Sequence, residues 1–533
     1  MNLNIRTYSS HRTPLVAGNG VVATSHPLAA QAGLAMLQAG GTAVDAAIAT
    51  AVALTVLEPT SNGIGSDAFA IVWDGQRLHG LNGSGRAPAA LTPAAVERAG
   101  YNDIPASGWL PVTVPGAPAA WQDLHARFGE LPFAQLFAPA IAYAERGYPV
   151  APVVARYWAR GVAAASRRSD PMYAGFLPTF APGGAAPSAG ERFASPGHAR
   201  TLRLIAEHGA ADFYSGEIAR AIAGFARETG GLLGADDLAA HSSTWVEPIS
   251  IGYRDHQVWE LPPNGQGLAA LIALGILDGL DVARTPRDSA VAYHLQIEAM
   301  KLAFADAHRY IADPERADVP VGGLLDPAYL ARRRALIGET ARAAEPGDPP
   351  RGGTVLLCAA DGEGRMVSMI QSNFVGFGSG VVVPGWGIAL QNRGSGFTLE
   401  PGHPNRLEPG KRPYHTIIPA FLTHGNRPIG PFGVMGGHMQ PQGHIQVAIN
   451  TIDYAMNPQA ALDAPRWRVE ADAVLVELET ARHVIEGLAA RGHNVRIEAE
   501  PGGFGRGQAI WRLASGAYAA GSETRCDGCA VGW

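Results

Sequence analysis

Lysine is almost missing from this sequence: of 41 basic residues only Lys301 and Lys411 are not arginine. That leaves few amines for Schiff-base chemistry, and no G-x-x-x-x-G-K-[ST] segment is present to cradle nucleotide phosphates. Cysteine is equally scarce. Cys358, Cys526 and Cys529 cannot build a disulfide framework. The Cys526-x-x-Cys529 pair has no second pair to complete a zinc site and reads as two ordinary cysteines near a strand end. Nor is there a bilayer-spanning apolar run; the longest, Ala46 to Leu57, is too short and follows Asp45 closely. Met1 to Val16 is polar and lacks the apolar core of about 7–15 residues that a secretion signal carries, so cytoplasmic residence is expected. With 41 basic against 47 acidic residues the net charge is −6, which gives no field to attract nucleic acid or an anionic membrane.

Several catalytic signatures are also absent. There is no H-E-x-x-H, and the only suggestive histidine set, His415, His438 and His444, has no obvious carboxylate partner. There is no G-x-S-x-G, and Gly376-Phe-Gly378-Ser-Gly380 stops short of a dinucleotide fingerprint. What remains is a chain of 533 residues, 47% hydrophobic and 17% charged, with ample material for a large core.

Helical and extended patterns alternate along it. Pro27 to Gln38 is an amphipathic helix stopped by Gly40-Gly41, and Thr42 caps an almost wholly apolar helix through Leu57. Ala68 to Trp73 reads as a buried strand. Pro132 to Trp158, Arg200 to Thr229 and Ala292 to Tyr310 read as helical, with a surface connection around Pro182 to Ser195. Then Glu345 to Gly353 packs three prolines and three glycines into nine residues and cannot be a core element. Thr354 to Ala360 is an apolar strand, Asp361 to Gly364 a turn, and Arg365 to Ser372 the returning strand. Both strands are apolar on both faces, as expected for a sheet sandwiched between helical layers.

A threonine opening a buried strand after such a segment has two readings. One is a plain strand-initiating residue. The other is a nucleophile: if the chain is cut between Gly353 and Thr354, the freed α-amino group, with a reference pKa near ~8, becomes the base that a hydroxyl needs. Gly352 and Gly353 remove bulk from the scissile bond and tolerate strained backbone. Such a site also needs N–H groups for the oxyanion. Gly436 and Gly437 are candidates, between the apolar Ile429 to Val434 and a helical pattern from His444 to Tyr454. A simple strand-to-helix turn is the alternative.

Taken in order, the segments resemble the γ-glutamyltranspeptidase family of N-terminal-nucleophile hydrolases. Gly40 to Ile48, Glu58-Pro59 and Gly63 to Asp67 are similar to its opening signature. Val114-Pro-Gly116, Pro139 to Ile141, Asp237-Leu238, Pro262-Pro263 and Glu298 to Asp306 fall where its large chain has similar runs, and Gly378 to Gly385, Lys411 to Pro413 and Gly436-Gly437 match its small chain. The resemblance implies an α+β fold, a four-layer αββα sandwich, and autoprocessing into a large chain, 1–353, and a small chain, 354–533. It implies a threonine acyl-enzyme on Thr354 that passes the acyl group of a γ-glutamyl-type or related small amide to water or an amine, with an amidohydrolase for a non-glutamyl anionic acyl group as the alternative. Gly436 and Gly437 would form the oxyanion hole, and Ser372 stands where the family has a threonine bonded to the nucleophile. No cofactor or metal is implied, and a dimer of heterodimers is compatible with it. A family member that is never processed and only binds is the reading of another class.

The resemblance breaks in the shell that recognises glutamate. The family's glutamate-binding arginine aligns with Ser84, with Arg86 two positions on. Its asparagine after the hairpin aligns with Phe374, with Asn373 beside it. Its ammonium-binding acidic residue aligns with Gly396, and its carboxylate-binding serine pair with His415 and Thr416. The stretch from Pro401 to Lys411 is shorter than the usual lid. Arg86, Arg393 and His415, with no carboxylate at position 396, bias the expected site toward an anion. This pattern resembles the glutathione-hydrolase-like branch that sits near cephalosporin (glutaryl-amide) acylases and oxamate amidohydrolases.

Overall fold

A computed structural model describes residues 12–342 and 353–533. The proline-rich 345–352 stretch and most of the polar amino terminus lie outside the described residues.

Two seven-stranded antiparallel sheets lie face to face. One runs, edge to edge, through Leu15–Ala17, Tyr518–Ser522, Arg506–Arg512, Arg427–Met435, Ala420–His424, His256–Glu260 and Ile249–Tyr253. The other runs through Cys529–Gly532, Gly20–Thr24, Gly353–Asp361, Met366–Phe374, Asp67–Trp73, Leu78–Gly83 and Thr244–Val246. Helices Pro27–Gln38, Ala43–Leu57 and Ala117–Phe128 cover the outer face of the second sheet, while Gly267–Leu277 and Met439–Ile452 cover the first. The result is the expected αββα sandwich.

The period-two alternation of a strand explains how the layers are filled. Along Gly353–Asp361, Val355, Leu357 and Ala359 join the core under the helices, while Leu356, Cys358 and Ala360 join the core between the sheets. All six are essentially inaccessible to solvent. At ~1.5–3 kcal/mol for each large aliphatic side chain, burial on both faces makes this strand a strong anchor.

Local signals explain most element boundaries. Thr42 caps the helix Ala43–Leu57, accepting from Val44 and Asp45 N–H while Asp45 returns a bond to Thr42 N–H. The continuous helical reading of Pro132 to Trp158 is corrected: Gly147, with φ of 75°, ends Phe133–Arg146, and Pro152 opens a separate helix, Pro152–Ala165. Arg200 to Thr229 likewise divides, into Pro196–His208, Ala211–Ser215 and Glu217–Glu228, with breaks at Gly209 and Gly216. No described helix is long and apolar enough to cross a membrane.

Residues before and after the Gly353–Thr354 bond interleave in both sheets, and polar ties join them. Glu58, fully buried, accepts from Arg506 at 2.9 Å and from Ser25 at 2.5 Å. Removing one partner of such a pair strands the other charge. Arg506→Met is therefore expected to destabilise the protein by ~3–5 kcal/mol, read as a lower urea midpoint than wild type.

Candidate active site

The hairpin Gly353–Asp361 and Met366–Phe374 brings Thr354 beside Ser372. The ladder slips between Gly353 and Val355, so that an irregularity falls on Thr354. Such a slip re-aims the side chain it carries. Thr354 Oγ1 then lies 3.1 Å from Ser372 Oγ, and both residues are fully buried.

Ser372 Oγ accepts from Phe374 N–H at 2.8 Å and from Arg393 Nη2 at 3.0 Å. Either hydroxyl can be the donor in the contact between Ser372 and Thr354.

Arg393 is inaccessible to solvent. Its Nη1 donates to Thr416 Oγ1 at 2.6 Å, and its guanidinium lies 4.4 Å from the centroid of the Phe374 ring. Phe374 sits at φ of 76°, a left-handed conformation unusual for a bulky residue. The position where the family has asparagine thus carries a ring that covers the cation. Burial pushes the Arg393 pKa down to about 9, opposed by Asp67, so it remains charged at neutral pH.

Asp67 escaped notice as a site residue in the sequence. It is the ladder partner of Ser372 and is fully buried. Its Oδ1 accepts from Gly85 and Gly116 N–H, both at 3.2 Å, and its Oδ2 lies 3.0 Å from His415 Nε2. Since His415 Nδ1 accepts from Ile417 N–H, the Nε2 hydrogen faces the carboxyl. Burial, with Arg393 and Arg412 adding to it, holds His415 well below the usual histidine range. Burial pushes Asp67 up to about 7.

The remaining positions divide. Gly436 and Gly437, at φ of 134° and 63°, turn the chain from the strand Arg427–Met435 into the helix Met439–Ile452. Neither N–H donates to a described residue. Asn373 Oδ1 accepts from Ser66 Oγ at 2.8 Å, away from Ser372, and its Nδ2 has no partner among the described residues. Arg86 is occupied elsewhere: it grips Glu315 at 2.8 and 2.9 Å and lies 3.4 Å from Asp313. Ser84, the counterpart of the family's arginine, is sealed between Asn82 and Asn264. At Gly396 a Cβ would lie 2.6 Å from the Tyr414 carbonyl oxygen, so no carboxylate side chain fits there without a backbone shift.

The three histidines that suggested a metal do not converge. His415 faces Asp67, His444 Nδ1 lies 2.6 Å from Glu260, and His438 stacks with His308 and Tyr414. Among the described residues the only grouping with metal-ligand spacing is His294, Glu298 and His493. There, His294 Nδ1 and His493 Nε2 already share a 2.8 Å hydrogen bond, and Lys301 occupies Glu298 at 2.8 Å. That network straps Gly338 and Arg342 rather than framing an ion site.

Comparisons with known proteins show the family. The γ-glutamyltranspeptidase family profile matches residues 29–533. The glutathione hydrolase-like YwrD proenzyme of Bacillus subtilis is 35% identical, over 96% of this chain and 98% of its own. The oxamate amidohydrolase proenzyme of Klebsiella pneumoniae is 34% identical, over 97% and 99%. A crystal structure of cephalosporin acylase from Bacillus halodurans superposes with a TM-score of 0.96 at 55% identity, covering 100% of this chain and 99% of that one. The fold and these relatives define an N-terminal-nucleophile amidohydrolase. The chain belongs to the γ-glutamyltranspeptidase family.

Asp67 generates a pH prediction. Its folded pKa of about 7 exceeds the ordinary 3.8, so between those values the folded state holds a proton that the unfolded state has lost. Stability from this group therefore falls as pH rises through that window and is level above it. Asp67→Asn cannot titrate. The unfolding free energy of wild type relative to Asp67→Asn, from urea titrations at pH 4 to 8, is expected to decline up to about pH 7 and then flatten.

Proposed function

We propose that the chain is a precursor that cuts its own Gly353–Thr354 bond and then hydrolyses amides through an acyl-enzyme on Thr354. The freed α-amine takes the Thr354 hydroxyl proton as Oγ1 attacks the substrate carbonyl, while Ser372 donates to the attacking oxygen. The N–H groups of Gly436 and Gly437 receive the oxyanion. Collapse of the tetrahedral species expels the amine, which leaves with the proton held by the α-ammonium. Water, deprotonated by the same amine, repeats the sequence on the ester and releases the acid. Segments 1–353 and 354–533 are read as the large and small chains of the processed enzyme.

For the acyl group we propose a negatively charged chain without an α-ammonium, of the glutaryl or oxamate type, rather than γ-glutamyl. One observation carries this reading. Gly396, which the resemblance aligns with the family's ammonium-binding carboxylate, is packed against the Tyr414 carbonyl with no room for a Cβ. Asp67, the acid beside Arg393, is already bonded to His415, Gly85 and Gly116. Among the described residues a substrate ammonium would therefore find no partner, whereas Arg393 Nε and Asn373 Nδ2 are buried donors with no acceptor among those residues. The similarity to cephalosporin acylase and to oxamate amidohydrolase supports the same reading.

Two measurements test these proposals separately. On a denaturing gel the purified wild type is expected as two bands and Thr354→Ala as one; an uncut wild type with full activity would sink the nucleophile assignment. For the acyl group, glutaryl-p-nitroanilide is expected to exceed γ-glutamyl-p-nitroanilide in kcat/KM by ~10-fold or more, the equivalent of about 1.4 kcal/mol for an unpaired ammonium. The opposite ranking would refute the acyl-group reading and leave the nucleophile in place.

A further inference from the structure

Gln266 is fully buried just before the apolar helix Gly267–Leu277, and every polar atom of its side chain is used. Nε2 donates to the Gly437 carbonyl at 2.8 Å and to the Thr416 carbonyl at 2.6 Å. Oε1 accepts from Tyr414 Oη at 3.0 Å. Because carbonyl oxygens only accept, the amide cannot be turned the other way. Its backbone N–H donates to His415 O at 2.9 Å, which fixes where the side chain starts.

The two carbonyls belong to the two halves of the candidate machinery. Thr416 holds Arg393, which donates to Ser372 beside Thr354. Gly437 is half of the glycine turn whose N–H groups have no acceptor among the described residues. At φ of 134° and 63° those glycines occupy backbone space with little intrinsic preference, so the turn keeps its shape only if its carbonyls are held. Gly436 O accepts from Met439 N–H and Gly437 O from Gln440 N–H, both at 3.1 Å, within the turn itself. Gln266 supplies the hold from outside it.

We infer that Gln266 is a positioning residue that sets the oxyanion-binding turn relative to the nucleophile, its single amide spanning both. This rests on Thr354 as nucleophile and on Gly436 and Gly437 as oxyanion donors. An interaction that acts through the oxyanion site should matter to the tetrahedral state far more than to bound substrate or product. A side chain that merely caps a helix should weaken all of them alike, or only the fold.

The test uses Gln266→Met, similar in length but unable to bond, and Gln266→Glu. For each variant we would measure the melting temperature, kcat and KM on an amide substrate. We would also measure inhibition by a boronic acid that forms a tetrahedral adduct on Thr354 Oγ1, and by the free carboxylic acid product. For Gln266→Met the expected result is a melting temperature within a few degrees of wild type and a kcat lower by ~30–100-fold, less than the ~100–1,000-fold lost with an oxyanion donor itself. KM and product inhibition should move by less than ~3-fold, and boronate inhibition should weaken by the same factor as kcat/KM. In Gln266→Glu a protonated carboxyl restores one donor, so its rate relative to wild type should climb as pH is lowered.

Equal weakening of boronate and product, or an unchanged kcat in Gln266→Met, would overturn the inference. If Gln266→Met does not fold, Gln266→Glu decides: a rate ratio flat with pH and boronate inhibition equal to wild type would also overturn it. A boronate without effect on wild type would unseat the nucleophile reading, and this inference with it.

Discussion

A single buried guanidinium organises this site. Arg393 is cut off from water, so its charge must be met by hydrogen bonds, neighbouring charge and the Phe374 ring. Ser372 and Thr416 provide the bonds, Asp67 the opposing charge. Each answer constrains something else. Ser372 accepts from Arg393 and lies against Thr354. Thr416 leads through its carbonyl to Gln266 and so to the glycine turn. Asp67, lifted by burial, takes His415 and two backbone N–H groups, and so ties the strand Asp67–Trp73 to the turns at Gly85 and Gly116.

Under the proposed function, the same arrangement would let one site keep its reaction and change its substrate. Bond-making needs the hydroxyl, a base, and N–H groups at a turn, and on that reading all three come from backbone position and small residues. Recognition of a zwitterionic head needs charges at particular points, and those points are closed here. Ser84 is enclosed by asparagines, Arg86 is spent on Glu315 and Asp313, and Gly396 presses on a carbonyl. None of these changes touches the nucleophile.

Much of this was legible in the sequence, though unevenly. The continuous apolar run after Thr354 marked the central hairpin, because its residues are buried on both faces. Thr42 announced the helix it caps. The breaks at Gly147 and Gly216 were harder to see, since apolar spacing on either side of each still suits one helix. Arg393 and His415 could be named as cations near the site, but their partners come from strands and turns far away in the chain. Asp67 was visible only as part of a motif. Gln266, a polar residue opening a wholly apolar helix, was the kind of signal that should have prompted a search for buried partners.

The interleaving of strands carries a last consequence. The strand that begins at Gly353 lies between Gly20–Thr24 and Met366–Phe374, deep inside its sheet. While the chain is continuous, those strands find one another as parts of one molecule. A chain cut before Thr354 keeps every contact but loses that tether, and its reassembly after unfolding would depend on concentration. Its durability would then be a matter of how slowly it comes apart, rather than of how readily it can be rebuilt.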